Sequence, residues 1–165
     1  MRFLMLDRIT ELIPNKSIKG LKCWTLTDEV FEDHFPGMPI VPGTFLTESM
    51  AQLLGLLIEK SFQKTNDETQ GKVYPILSMI HKAKFRNYVI PGDCMTMEGK
   101  LGTLDTKTAN GEVSVFVDGE PKATASFSYF LIPEFKLNNK RLIEKRAEYY
   151  NFLTNGIEIP GLRLQ

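Results

Sequence analysis

The sequence predicts an α+β fold in which an antiparallel sheet wraps one long, buried helix. The segment from Thr44 to about Lys60 is apolar on nearly every side, which is typical of a helix buried all round. The second half of the chain alternates apolar and polar residues in runs separated by short turns, which indicates antiparallel strands. A sheet that curves around such a helix covers it on all sides, so the helix needs no polar face.

The composition is that of an ordinary globular protein with one sizeable core. Of the 165 residues, 42% are apolar and 24% are charged. The 20 basic side chains balance the 20 acidic ones, so overall charge favours neither nucleic acid nor an anionic membrane as a partner. The apolar run Phe45–Ile58 is interrupted by Glu48 and Gln52 and is too short to span a bilayer. The charged start does not resemble a signal peptide, so we expect a cytoplasmic protein.

The sequence predicts neither a metal nor a nucleotide cofactor. There are two histidines and no clustered cysteines, which argues against zinc. No glycine-rich phosphate-binding motif occurs. Cys23 and Cys94 lie far apart and form no CxxC motif, so we expect free, buried thiols rather than a disulfide.

The remaining elements follow in chain order. Residues 3–13 fit either a strand or a short helix, and residues 17–27 alternate as a strand does. A loop rich in proline and glycine, residues 36–43, leads into the long helix. Later strands are predicted at residues 76–85, 94–104, 111–118 and 123–132.

The character of the sequence changes after residue 135. A charged, helical pattern follows, with Asn138 or Asn139 as its N-cap. One narrow stripe of this helix is expected to pack on the body or on a second subunit: Leu142, Ile143, Arg146, Tyr150 and Leu153. We therefore divide the chain into a main domain, residues 1–135, and a C-terminal helical extension, residues 136–165.

Two side chains in the loop and helix suggest acid–base chemistry. Burial disfavours an ionised carboxylate, so we expect the apolar helix to raise the pKa of Glu48 and make it a proton donor. Gln52 lies one turn later on the same face and Thr44 one turn earlier. His34, just before the rigid loop, is a natural general base. The backbone N–H groups at Gly43 suit a carbonyl oxygen on which negative charge develops.

Together these groups suit reversible elimination of water β to a carbonyl. The spacing of these residues alone is also compatible with purely structural roles for His34 and Glu48. A lone histidine near a turn is more often structural than catalytic. Glu48 fits pairing with a buried arginine equally well. His81 is expected to be a strand or surface residue.

The segment HFPGMPIVPGTFLTESMAQ, residues 34–52, closely resembles the signature of the 3-hydroxyacyl-[acyl carrier protein] dehydratases (FabA/FabZ-type) of type II fatty acid synthesis. The flanking segments, residues 79–101 and 115–132, are similar to the same family, and the resemblance covers about residues 3–133. It implies a hot-dog fold, a curved antiparallel sheet around a central α-helix. It also implies a homodimer or a trimer of dimers, in which His34 of one chain meets Glu48 of the other.

The resemblance further implies the roles of individual residues. His34 and Glu48 would be the catalytic pair, and Gly43 would bind the thioester carbonyl through its amide. Gln52 would support the acid, and Phe35 and Thr44 would join the substrate-binding residues. The acid here is glutamate rather than aspartate. This favours the branch of the family that only dehydrates over the branch that also isomerises the double bond. The substrate would be a 3-hydroxyacyl thioester on the phosphopantetheine arm of acyl carrier protein, with no cofactor of the enzyme's own.

The acyl chain would lie in an apolar tunnel along the helix, with Met50, Leu53 and Leu54 as tunnel or core residues. The sequence differs from the family pattern in three ways. It begins at the phenylalanine–leucine element without the family's usual short leader, and its loop at residues 61–73 is polar. Its C-terminal helix is not part of the common pattern. A specialised relative is therefore expected.

Two other functions remain alternatives. A hot-dog acyl thioesterase would use the helix acid to activate water, and a non-catalytic acyl-carrier-binding partner would keep the fold alone. The basic cluster of Lys82, Lys84 and Arg86 is either a solvated strand face or a docking site for the acidic carrier protein.

Overall fold

The computed structural model describes residues 3–65, 71–137 and 139–160. The described elements are, in order, β1 (Arg8–Ile13), β2 (Ser17–Cys23), α1 (Val30–Asp33), α2 (Gly43–Thr65), β3 (Val73–Phe85), β4 (Cys94–Leu104), β5 (Thr108–Val117), β6 (Glu120–Pro133), a 3-10 turn (Glu134–Lys136) and α3 (Lys140–Leu153). The six strands form one sheet in the order β1-β2-β4-β5-β6-β3, and every neighbouring pair is antiparallel. This confirms the predicted α+β class.

The sheet wraps α2, which packs against strands β2 to β6. Met50, Leu53 and Leu54 are fully buried against the sheet, so they belong to the core rather than to a tunnel wall. Each such side chain contributes about 1.5–3 kcal/mol by leaving water. Gly20 lets β2 approach the helix closely, because a Cβ there would lie 2.8 Å from Leu53 Cδ1.

The structure resolves the ambiguity at residues 3–13 in favour of a strand. Arg8–Ile13 pairs with β2, and Phe3 to Leu6 form a non-strand segment leading into it. α2 continues to Thr65 and so takes up the first part of the predicted loop. Residues 66–70 of that loop lie outside the described residues. The four-residue α1 was not predicted.

The expectation of free thiols is wrong. Cys23 and Cys94 face each other in the β2–β4 register and form a disulfide, with their Cα atoms 4.0 Å apart. Cys23 is half-buried and Cys94 is exposed, so neither is a buried core thiol. Strand pairing joins residues that are 71 positions apart, which spacing in the sequence does not reveal.

The extension forms the predicted helix, α3. Its N-cap is Asn139, whose side-chain oxygen accepts a hydrogen bond from the Leu142 N–H at 3.0 Å. Asn138, the other predicted cap, lies outside the described residues. Tyr150 and Leu153 are buried, so α3 packs back on the main body. The division of the chain at residue 135 stays a prediction.

Candidate active site

The loop after α1 holds His34 from both sides. The His34 N–H donates to the Val30 carbonyl at 3.2 Å, and the His34 carbonyl accepts from the Ile40 N–H at 3.0 Å. Between them, the backbone groups of Phe35 and Met38 bond to each other in both directions, and Gly37 takes the positive φ of 79° that closes this turn. The loop therefore presents the imidazole on a rigid backbone.

The imidazole of His34 is also oriented by a hydrogen bond. Its Nδ1 lies 3.0 Å from the carbonyl oxygen of Ile40. A carbonyl only accepts, so Nδ1 carries the proton of this bond, and in the neutral ring the lone pair therefore lies on Nε2. The ring stacks on that of Phe35, with centroids 4.0 Å apart. His34 is half-buried and Phe35 is 50% exposed, so Nε2 belongs to a ring at the surface of this chain.

The N-terminus of α2 begins at Gly43, directly after the loop. The N–H groups of Phe45 and Leu46 both donate to the Pro42 carbonyl, and the amides of Gly43 and Thr44 precede them at the positive end of the helix. The Phe85 ring of β3 covers Gly43, because a Cβ there would lie 3.1 Å from two ring carbons. Thr44 is exposed beside it.

Glu48 and Gln52 are in contact, as their i,i+4 spacing predicts. Gln52 Nε2 donates to Glu48 Oε1 at 2.8 Å and to the Phe3 carbonyl at 3.0 Å, while Gln52 Oε1 accepts from the Met5 N–H at 2.9 Å. The amide is therefore fixed by three bonds and holds one oxygen of Glu48. Glu48 is half-buried rather than fully buried.

A buried phenol lies on the sheet side of the same helix. The Tyr129 hydroxyl donates to the Ala51 carbonyl at 2.8 Å. Burial, and to a smaller extent the Glu48 carboxylate, raise the pKa of Tyr129, so the phenol stays protonated.

The structure brings the predicted residues together in two groups rather than one. Gly43, Thr44, Glu48 and Gln52 share the first turns of α2, whereas His34 belongs to the preceding loop. Within the described ranges of one chain, no hydrogen bond or ion pair joins His34 to Glu48.

An apolar surface on β3 flanks this region. β3 is the edge strand of the sheet, and from Ile76 onward every residue of it is exposed. The large apolar side chains of this edge, with Phe130 beside them, are 38–60% exposed: Ile76, Leu77, Met79, Ile80 and Phe85. Unpaired, apolar edges of this length are normally covered by another chain.

Sequence reasoning missed a second carboxylate on α2. Glu59 is 7% exposed, and Arg146 of α3 donates from Nε to its Oε2 at 3.3 Å. The guanidinium also lies 4.7 Å from the ring centroid of Tyr150 and 5.2 Å from that of Tyr74. Burial raises the pKa of Glu59, and the charge of Arg146 partly opposes this. The only signal in the sequence was an arginine within the apolar stripe of the predicted C-terminal helix.

Comparison with known proteins identifies the family. A model of the FabA-like domain matches residues 1–126. The chain belongs to this family. A 3-hydroxyacyl-[acyl-carrier-protein] dehydratase FabZ from Cereibacter sphaeroides is 40% identical over 134 residues, covering 78% of this chain and 81% of that protein. The FabZ of Aliarcobacter butzleri is 40% identical over 129 residues, with 78% and 87% covered.

Solved structures are similar in fold. The dehydratase heterocomplex ApeI:P from Xenorhabdus doucetiae matches with a TM-score of 0.60 at 15% identity, covering 87% of this chain and 90% of that chain. A hypothetical thioesterase with coenzyme A from Streptococcus pneumoniae matches with a TM-score of 0.60 at 12% identity, covering 76% and 85%. The predicted hot-dog fold is confirmed.

Two negative findings concern only the described residues. No group of three His, Cys, Asp or Glu side chains is arranged there to hold a metal ion. No helix in the described ranges is long and apolar enough to cross a membrane.

Proposed function

We propose that this protein removes water from 3-hydroxyacyl thioesters carried on acyl carrier protein, giving trans-2-enoyl thioesters in fatty acid biosynthesis. The observation that carries the proposal is the His34 imidazole, fixed through Nδ1 on Ile40 so that Nε2 is free to take a proton. This imidazole comes from the loop that leads into the N-terminus of α2. The dehydratase relatives are about 40% identical to this protein over 78% of its chain.

In the proposed reaction, Nε2 of His34 removes the proton from C2 of the substrate. The electron pair moves onto the thioester oxygen, and the amide of Gly43 at the helix N-terminus stabilises the resulting charge. The enolate then forms the C2–C3 double bond as the C3–O bond breaks, and Glu48 gives its proton to the leaving hydroxyl, which departs as water. His34 ends protonated and Glu48 ionised, the states that the reverse hydration needs.

Gln52 is a positioning residue in this scheme. Its bond to Glu48 Oε1 directs the carboxyl, and its bonds to Phe3 and Met5 fix the amide itself. Phe35, which stacks on His34, and Thr44, exposed beside Gly43, are proposed to contact the substrate. No cofactor is required by this scheme, since the phosphopantetheine arm belongs to the carrier protein.

We propose a homodimer, or a trimer of such dimers, as the working form. The exposed apolar edge of β3 supports pairing with a second copy, and Phe85 links that edge to Gly43. Among the described residues of one chain, no hydrogen bond or ion pair joins His34 to Glu48. This supports a site formed by His34 of one subunit and Glu48 of the other.

The carrier protein is proposed to dock on the basic cluster of Lys82, Lys84 and Arg86. The β3–β6 register pairs Lys82 with Ser126 and Lys84 with Thr124, which puts both lysines on the outer face of the sheet. The cluster is exposed, and the surface around it also contains Glu112. Phe85, between Lys84 and Arg86, contacts Gly43 on the inner face, so docking there brings an acidic partner close to the proposed site.

The two alternatives have less support. The likeness to a thioesterase at 12% identity extends only to the fold. A non-catalytic carrier-binding partner needs neither an oriented imidazole nor a carboxyl held by glutamine. A cytoplasmic location stays a prediction, which fractionation of the producing cells would check.

The test is hydration of trans-2-enoyl thioesters, followed by the loss of ultraviolet absorbance of the conjugated thioester. We expect the wild type to be active and His34→Ala and Glu48→Gln each to lower kcat by at least about 100-fold. Glu98→Gln is the matched control, because Glu98 is an exposed carboxylate on β4 that pairs with Lys19 at 3.7 Å.

An inactive wild type on both carrier-protein and coenzyme A thioesters would refute the proposed activity. Near-full activity of either variant would instead show that its residue has been given the wrong role.

A further inference from the structure

The glutamine that directs Glu48 is itself held by a short N-terminal segment, residues 3–6. Gln52 Nε2 donates to Glu48 Oε1 at 2.8 Å and to the Phe3 carbonyl at 3.0 Å. Gln52 Oε1 accepts from the Met5 N–H at 2.9 Å. Two of the three bonds that fix this amide therefore go to the backbone of the segment. The orientation of the proposed acid depends on where that backbone lies.

The segment is not part of the sheet. β1 begins at Arg8, and within the described ranges residues 3–6 make no backbone–backbone hydrogen bond. The side chains of Met5 and Leu6 are buried, so they keep the segment on the body. Apolar contacts are not directional, and they fix the direction of a peptide group less sharply than a hydrogen bond does. The directions of the backbone groups that face Gln52 therefore depend on the nearest fixed peptide.

The nearest fixed peptide joins Leu6 and Asp7. Its N–H donates to the Leu21 carbonyl of β2 at 2.9 Å. Its carbonyl accepts from the Tyr149 hydroxyl of α3 at 3.1 Å. A peptide group is planar, so bonds at both of its polar atoms fix the plane from which the segment extends toward the glutamine.

α3 is fixed on the body without help from this bond. Tyr150 and Leu153 are buried in the core, and Arg146 donates to the Glu59 carboxylate at 3.3 Å. Burial raises the pKa of Tyr149 to about 12, so its hydroxyl stays protonated and able to donate from acidic to mildly alkaline pH. Tyr149 is therefore a donor held in place by its own helix, rather than a side chain that follows the segment.

This donor lies outside the part of the chain that the family model matches. The match ends at residue 126, whereas α3 begins at Lys140. A role for Tyr149 is therefore an addition made by the C-terminal helix of this protein to the common site.

We propose that Tyr149 is a positioning residue for Glu48. It holds the Leu6–Asp7 peptide, from which the segment that fixes Gln52 extends, and Gln52 directs the acid. The inference rests on the proposed function, in which Glu48 protonates the leaving hydroxyl. A displaced acid slows the chemical step without weakening substrate binding. Because the second bond of the peptide and the buried side chains remain, loss of the Tyr149 hydroxyl should lower kcat about three- to tenfold.

The kinetic test compares two variants that each lose one hydroxyl. Tyr149→Phe removes the donor to the segment. Tyr74→Phe is the matched control, because the Tyr74 hydroxyl also ties the C-terminal part of the chain to the body, but by donating to Glu134 at 2.9 Å. Both variants should lower Tm by about 2–4 °C. In hydration of trans-2-enoyl thioesters, Tyr149→Phe should lower kcat about three- to tenfold with KM unchanged, and Tyr74→Phe should keep both constants.

A double-mutant cycle with Gln52→Leu tests the route. If Tyr149 acts through the glutamine, Tyr149→Phe should change kcat by less than about 1.5-fold in a chain that already carries Gln52→Leu. An equal loss of kcat in both backgrounds would overturn the proposal. So would a raised KM with normal kcat, or the same loss of kcat in Tyr74→Phe, since each would leave Tyr149 with a structural role alone.

Amide hydrogen exchange, followed by NMR on the isotope-labelled full-length protein, tests the same contact without turnover. The Met5 N–H, which is bonded to Gln52, should exchange at least about threefold faster in Tyr149→Phe and at the wild-type rate in Tyr74→Phe. Unchanged Met5 exchange in both variants would overturn the proposal. A wild type that hydrates no enoyl thioester, together with faster Met5 exchange in Tyr149→Phe, would refute the proposed function and leave Tyr149 as the residue that positions the Gln52–Glu48 pair.

Discussion

Replacing Arg146 by alanine should destabilise the protein, and more so at neutral than at acidic pH. Glu59 is 7% exposed, and Arg146 makes its hydrogen bond and its largest favourable charge interaction, with Lys60 and Lys72 contributing less. Breaking a buried ion pair from one side costs about 3–5 kcal/mol. Arg146 is partly exposed, and solvent screening brings the expected loss to about 3 kcal/mol. For a chain of this size that lowers Tm by about 6–12 °C.

The direction of the pH effect follows from Glu59. Burial raises the pKa of Glu59 in the folded state, so the protonated form favours folding and stability is lost as pH rises through that folded pKa. Without Arg146 this pKa rises further, and the carboxyl takes up a proton under mildly acidic conditions. The difference between wild type and Arg146→Ala should therefore widen from about pH 5 to about pH 8.

Thermal and urea unfolding followed by circular dichroism at the two pH values measures this difference. Lys145→Ala should change stability by less than about 0.5 kcal/mol. Adding E59Q to R146A should restore part of the loss and remove its pH dependence. A loss as large at pH 5 as at pH 8, or one below about 1 kcal/mol at pH 8, would contradict the reasoning.

Three further outcomes are expected. Mixing His34→Ala and Glu48→Gln chains through unfolding and refolding should restore about one quarter of wild-type activity, because half the dimers are mixed and one of their two sites is intact. Gly43→Ala should lower kcat/KM about tenfold, since its Cβ would lie 3.1 Å from the Phe85 ring, and Phe85→Leu should recover part of this loss. Gln52→Leu should lower kcat about 10–100-fold by releasing Glu48, with little change in KM.

Each of these outcomes has a result that would contradict it. No recovery on mixing would mean that His34 and Glu48 act within one chain. Unchanged kinetics in Gly43→Ala would mean that the Phe85 ring moves freely and that the helix start tolerates a side chain. A higher KM with normal kcat in Gln52→Leu would make the glutamine a substrate contact instead of a support for the acid.

Local patterns were enough to predict the elements around the site. The run of apolar residues with Glu48 inside it predicted the long helix, and i,i+4 spacing predicted the contact with Gln52. The proline–glycine loop indicated a rigid backbone, and the structure adds the Nδ1 bond of His34 to Ile40 that no spacing rule gives. Local structure follows from residues close in the sequence, which is why these predictions were possible.

Contacts between distant residues were beyond the reach of such patterns. Glu59 and Arg146 are 87 positions apart, and Cys23 and Cys94 are 71 apart. Both pairs depend on how whole elements pack, so neither appears as a periodicity or a motif. The partner's contribution to the site is likewise absent from a single chain, and the proposed meeting of His34 and Glu48 came from the family resemblance alone.

The unpaired edge of β3 links solubility to activity. Alternate residues of Val73–Phe85 direct backbone groups to the open side of the strand, and apolar side chains are exposed from Ile76 onward. A strand of this kind that is not covered by its proper partner is a template for fibril-like, edge-to-edge pairing. Dilution, or a substitution that weakens the subunit contact, should therefore cause aggregation and loss of enzymatic activity together. The measured activity should then depend on the protein concentration used during purification.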